Sequence, residues 1–399
     1  MKHLAVLAAL LAPLPALADV DPADWDAVTA QAEGQIVYWN AWGGSTTTND
    51  FIAWVGSRVA EDYGVTLEHV KLTDTADAVT RVLSEKQAGQ DDGGAIDMIW
   101  INGPNFAAMK EAELLFGPYA EQLPNWALVD FENKSVQTDF TVPVEGFESP
   151  WAMAQVVFVH DTARMPDRLG SMDALLDWAQ ANPGRFSYPQ PPDFLGTTFL
   201  KQVLIDILPD PSVLAEPATD ANYEAVTEPL WAYLDALTPH LWREGRAYPA
   251  TGTAMFPLIA DGELDLSISF SPGAASTAIA NNELPDTMRT FVLDKGTIGN
   301  ASFVAIPYNS SAKAGAMVVA NFLMSAEAQA RAQDPAILGY GTVLAMDKLV
   351  EDDRALFDAL DLGIATLTPA ELGTVQAEPH PSWMTRISDD WVARYGVAQ

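Results

Sequence analysis

The sequence has 399 residues, with 21 basic against 54 acidic side chains, a formal net charge of −33, and no cysteine. The length leaves room for two domains, and the missing thiol excludes disulfides, thiol nucleophiles, Cys-bound metals and an acylated lipoprotein anchor. The charge excludes nucleic acid and anionic membrane as general partners, and an acidic surface solvated in salt accounts for most of it without any ligand.

In chain order, residues 1–18 come first. Lys2 supplies a basic start, residues 4–14 are almost continuously apolar, and Pro15-Ala16-Leu17-Ala18 gives a small-x-small cleavage pattern. That pattern predicts a secretory signal peptide, since the run is too short for a membrane-spanning helix. No later stretch reaches 18 uninterrupted apolar residues, so no further span is expected. Strand signals then alternate with helix signals, predicting α/β layers. Residues 35–39 read as a first strand, and residues 49–62 as a helix with Phe51, Trp54, Val55 and Val59 on one face. Residues 67–71, 77–87, 96–101 and 106–115 continue as strand, helix, strand, helix. In such a sheet ligands bind beyond the carboxyl ends of the strands. Candidate positions therefore follow Trp39 (Asn40, Ala41, Trp42, Gly43, Gly44, Ser45) and follow Ile101 (Asn102 to Asn105).

Residues 141–150 carry proline and glycine in an extended stretch and are expected to cross to a second lobe. Residues 154–160 and 185–188 read as strands, followed by a proline-rich exit and a helix from about Thr197. Residues 264–270 form a strand entering the small-residue loop Ser271-Pro272-Gly273-Ala274-Ala275-Ser276. Residues 291–294 are expected to be the return crossing, before a strand at 302–307 and a helix at 312–324. The expected division is 19–145 for the first part of lobe 1 and 146–292 for lobe 2. Residues 293–399 then return to lobe 1, with C-terminal helices packing across both.

Three blocks carry a resemblance: IVYWNAWGGSTTTNDFIAWV, AIDMIWINGPNFAAMKEAELL and SFVAIPYNSSAKAGAMVVANFLMSAEAQ. Together with the leader they are similar to the type II periplasmic solute-binding proteins. Within that group the Trp-Asn-Ala-Trp-Gly-Gly opening resembles the YnjB-like members. The resemblance covers nearly the whole chain after the leader. It implies two discontinuous α/β lobes joined by crossing strands, and capture of a small solute in the periplasm for an inner-membrane ABC permease with its ATPase. It implies a monomer with no cofactor, no metal and no catalysis. Iron-binding members typically carry adjacent tyrosines late in the chain, and no Tyr-Tyr pair occurs here.

Three junctions stand out as binding candidates. Gly44, Ser45 and Thr46 lie in a hydroxyl-rich loop that can cap a helix or donate to an anionic group. Gly196 and Thr197, beside Phe194, repeat the theme, and an ordinary N-cap would give the same letters. Ser271 and Gly273 would permit close backbone approach. Trp42 and Trp151 offer indole faces for a ring or a cation, whereas alternation places Trp39 and Trp100 in the core rather than the cleft. Asn40 and Asn102 offer directed hydrogen bonds. Hydroxyls favour an anion and tryptophans a cation or ring, so the expected solute is zwitterionic, phosphorylated or thiamine-like.

No G-x-S-x-G, G-x-x-x-x-G-K-[ST] or H-E-x-x-H pattern occurs, and the five histidines are scattered. The other functions open at this point are a receptor for a non-ABC transporter or signalling partner, and a secreted carboxylate-based hydrolase.

Overall fold

The computed structural model describes residues 20–396, so the expected signal peptide at 1–18 lies outside the described residues. Helix α1 (Trp25–Ala32) starts on the Asp24 cap and leads into β1 (Ile36–Trp42). Val37, Trp39 and Ala41 alternate onto one face of β1 and bury completely, as period-2 side chains on a half-covered strand should. Against them lies α2 (Thr46–Tyr63), with Phe51, Ile52, Val55 and Val59 on its buried stripe. Gly64 ends α2 at φ +67, and its N–H returns to Ala60 O, a left-handed cap that glycine adopts without a Cβ penalty. Next come β2 (Thr66–Leu72), α3 (Ala76–Gln87), β3 (Met98–Ile101) and α4 (Pro104–Glu111). β1 pairs in parallel with both β2 and β3.

The proline and glycine at 141–150 do not change lobe. They shape a two-residue hairpin, β4 (Thr138–Asp139) and β5 (Val142–Pro143), and the turn after it. The crossing comes later, between β6 (Glu148–Gln155) and β7 (Val157–Asp161). Here Val156 alone separates two sheets, its N–H donating to Ile298 O at 2.7 Å. β6 belongs to the first sheet, and β7 centres a second, antiparallel sheet between β8 (Leu266–Ser269) and β9 (Met288–Phe291). The residues read as a return crossing thus begin as the end of β9. The return follows in β10 (Thr297–Ala305), nine residues where the sequence suggested six. Ile298 packs into the second core while Ala301, Phe303 and Val304 pack into the first. β10 runs antiparallel to β3 and, from Gly299 to Ala305, to β6.

Around the second sheet lie α5 (Met172–Ala181), α6 (Phe194–Ile207), α7 (Tyr223–Leu237), α8 (Met255–Ala260) and α9 (Ala274–Ala280). Residues 185–188 make one parallel bridge, Phe186 to Leu266, not a strand. Helices α10 (Lys313–Leu323), α11 (Ala326–Gln333) and α12 (Glu351–Asp358) cover the first core. One carboxylate ties this return together: buried Asp97 accepts from Tyr38 N, Ser310 Oγ, Ser311 N and Ala312 N. The chain then passes between the lobes a third time, through α13 (Pro369–Leu372) and β11 (Val375–Gln376), which pairs with the start of β10. The last helix, α14 (Pro381–Tyr395), buries Trp383, Ile387 and Trp391 in the second core. Two α/β lobes joined by crossing strands result, the type II periplasmic binding fold.

Candidate functional site between the lobes

Ser45 is the N-cap of α2, accepting from Thr48 N at 3.4 Å and sharing a hydrogen bond with Thr47 Oγ1 at 2.8 Å. Thr46 beside it is exposed. Gly44 is small for a packing reason: a Cβ there would lie 2.5 Å from Trp42 Cζ2, so the indole folds over the loop. Trp42 itself stays half-buried. Asn40 shares its face of β1, opposite Trp39, and its buried Oδ1 has no hydrogen-bond partner.

After β3, Asn102 Nδ2 donates to Ala301 O at 2.7 Å and to Asp139 Oδ1 at 3.3 Å. Gly103, at φ +55, donates its N–H to Asp139 Oδ2. Phe140 follows Asp139 at the hairpin tip and lays its ring over Gly103, where a Cβ would come within 2.8 Å of that ring.

From the second lobe, α6 starts at Phe194, not Thr197, because Asp193 caps it and accepts from Leu195 N and Gly196 N. These first-turn amides, expected to be open to an anion, are therefore already taken by a carboxylate. Gly196 faces the protein: a Cβ there would stand 2.1 Å from Pro189 O. Thr197 is fully buried and its Oγ1 has no hydrogen-bond partner. Phe194 remains 36% exposed and meets Phe270 edge-on at 5.6 Å.

One turn beyond Thr197 stands Lys201, with none of its surface exposed. Its Nζ lies 2.6 Å from Glu378 Oε2, and Glu378 Oε1 accepts from Asn300 Nδ2 at 3.0 Å. The ammonium also sits 4.4 Å from the Phe140 ring centre and 5.4 Å from that of Phe194. The floor between the lobes is thus a buried ion pair flanked by Asp139, Asn102, Asn300 and two aromatic rings. Burial lowers the Lys201 pKa against the pull of Glu378. Burial pushes Asp139 up to about 8, against the hydrogen bonds from Gly103 and Asn102, and Glu378 raises it further. Glu148, buried with neither oxygen partnered, is raised by burial and then by Asp139.

A carboxyl whose pKa rises on folding binds its proton more tightly in the native state. Its contribution is whole below the unfolded value near ~4 and is lost as pH climbs through about 8. Asp139→Asn should therefore flatten the decline in unfolding free energy between those pH values. Urea unfolding of both proteins across that window checks this; parallel pH profiles would show that Asp139 is ionised in the folded chain.

The other candidates are placed in packing. Ser271 Oγ donates to Gly339 O at 3.1 Å, and Gly273 N donates to the same oxygen at 3.0 Å. A Cβ on Gly273 would stand 2.6 Å from Gly339 Cα, so these small residues let the second lobe dock on the first. Trp151 is fully buried rather than lining the cleft. Its ring stacks on Phe51 at 6.0 Å and meets Trp100 at 4.8 Å, Tyr340 at 5.9 Å and Trp39 at 6.2 Å. Trp39 is core and Trp100 half-buried. Burial raises the pKa of the Tyr340 phenol, against a smaller lowering by Thr48 of α2. Sequence reasoning missed Asp139, Phe140, Lys201, Asn300, Glu378 and Tyr340. One signal was present: Lys201 is the lone basic residue in the apolar helix FLGTTFLKQVLIDI.

Among the described residues no group of three or more His, Cys, Asp or Glu is placed to hold a metal, and no helix is long and apolar enough to cross a membrane.

A family model described as bacterial extracellular solute-binding protein matches residues 54–353. Protein YnjB of Escherichia coli (strain K12) is 43% identical over 397 residues, covering 100% of both chains. Among solved structures, the periplasmic binding protein AfuA of Actinobacillus pleuropneumoniae, with fructose-6-phosphate bound, superposes with a TM-score of 0.62 at 12% identity, over 91% of this chain and 99% of that one. The spermidine/putrescine substrate-binding protein PotD of Streptococcus pneumoniae superposes with a TM-score of 0.60 at 17% identity, over 90% and 98%. At such identities these two structures share the fold with this chain and no more.

Proposed function

The chain belongs to the bacterial extracellular solute-binding proteins, and from that premise we propose that it captures a small polar organic solute between its lobes in the periplasm and delivers it to an ABC permease with its ATPase. The family and fold are those of binding proteins, not catalysts. The observation that carries the reading is the interlobe floor, to which both lobes contribute; each lobe also buries a polar atom without a partner, Asn40 Oδ1 in the first and Thr197 Oγ1 in the second. Buried polar atoms are paired in most native interiors, and on this reading these two are atoms that a ligand's polar groups would satisfy.

The solute class follows from what the floor already satisfies. Glu378 neutralises Lys201, and Asp193 occupies the first-turn amides of α6. A bare phosphate would find no open cation among these residues, which supports a zwitterion or a cationic heteroaromatic of the thiamine kind over a phosphorylated solute. Asn40, Trp42, Ser45, Thr46, Asn102, Phe194 and Thr197 stay as solute-facing residues, joined by Trp100 and Tyr340. Trp151, Gly44, Gly196, Ser271 and Gly273 shape the walls from behind.

Mass spectrometry of small molecules released from gently purified protein identifies the solute. Calorimetry with that compound should then show Trp42→Ala and Asn40→Ala each weakening binding by about tenfold or more, as loss of a buried hydrogen bond or ring contact does. Unchanged affinity in both variants would put the solute elsewhere, and turnover of the compound would remove the binder reading.

A further inference from the structure

Phe140 is a bulky residue held at φ +54. Side chains with a Cβ avoid that left-handed region, so its occupation calls for a compensating contact. The contact is on the other lobe. Phe140 sits at the tip of the β4–β5 hairpin, which is hydrogen-bonded through Asp139 to Gly103 and Asn102 of the first lobe. Its ring is 5% exposed and lies 4.4 Å from Nζ of Lys201, which projects from α6 in the second. Gly103 provides the seat, since any side chain there would collide with the ring. Glu378 and the Phe194 ring hold the ammonium from its other sides. An aromatic face attracts a desolvated cation more strongly than an exposed one.

We propose that Phe140 is a closure latch: its strained hairpin position exists to press an aromatic face onto Lys201 when the lobes meet, and so sets how readily the cleft closes. The proposal rests on the two-lobed capture reading above, but it is read out on lysine protection rather than on solute affinity. A latch can therefore fail while solute capture stands.

The test is acetylation of the intact protein, saturated with the solute that mass spectrometry identifies, with an N-hydroxysuccinimide ester, followed lysine by lysine by mass spectrometry. Lys201 should label slowly in the wild type. In Phe140→Leu, which keeps apolar bulk but loses the π face, its rate should rise about tenfold; Phe140→Tyr, which restores the face, should return it to the wild-type rate. Lys134, held in the first lobe by Thr342 O and Leu344 O, should label alike in all three. Equal protection of Lys201 in wild type and Phe140→Leu would overturn the latch. So would release of Lys134 in step with Lys201, because the ring would then support the first lobe and not closure.

Discussion

Replacing Lys201 with methionine should cost about 3–5 kcal/mol of folding stability, the usual effect of deleting one partner of a buried ion pair. Glu378 would keep its bond from Asn300 but lose the cation 2.6 Å away, with no water to replace it. Much of that cost is the orphaned carboxylate and not the pair's own worth. A double variant, Lys201→Met with Glu378→Leu, should therefore recover most of the loss, because two apolar side chains need no partner. Urea unfolding of the wild type, the single and the double variant separates the two contributions. A single variant within about 1 kcal/mol of wild type, in the range of an exposed pair, would mean that water reaches Lys201 in the folded chain.

Trp151→Ala should be comparably severe, about 3–5 kcal/mol, as for large aromatic truncations in a close-packed interior. The indole touches Phe51, Trp100, Trp39 and Tyr340, and so joins β6 to β1, β3 and α2. Trp151→Phe should cost much less: it preserves the stacking and gives up an Nε1–H that has no acceptor. If Trp151→Ala instead left stability intact and abolished solute binding, the ring would belong to the cleft. The contrast with Trp42→Ala is sharp, since Trp42 is half-buried at the loop and its loss should fall mainly on affinity.

The βαβαβα opening was legible because its cues are local. Val37, Trp39 and Ala41 alternate, and Phe51, Val55 and Val59 recur at helical spacing. A hydroxyl-rich cap ahead of α2 was legible too, but not which residue caps it: the expected start at Asn49 lies three residues inside the helix, which begins at Thr46 on Ser45. The crossings were harder. β6 and β7 read as one apolar run, and only pairing partners far along the chain, Gly299 to Ala305 for β6 and Leu266 to Ser269 for β7, divide it at Val156. The floor was the least legible part. Lys201 and Glu378 stand 177 residues apart, and neither has a neighbour in sequence that betrays the other. Gly196 and Gly273 show the reverse error. Glycine in a loop-to-helix turn suggests room for a ligand, yet here each admits another stretch of backbone, at Pro189 and Gly339. Phe140 belongs with the unreadable residues, because a left-handed φ at a phenylalanine follows from hairpin geometry and not from its neighbours.

The most direct test of solute capture by lobe closure is small-angle X-ray scattering of the purified protein with and without the solute identified by mass spectrometry. A ligand that bridges both lobes shifts the population toward the closed form. The radius of gyration should fall on saturation with wild-type protein, and should fall less at the same concentration with Trp42→Ala. Tight, stoichiometric binding with no fall in the wild-type radius would contradict capture between the lobes.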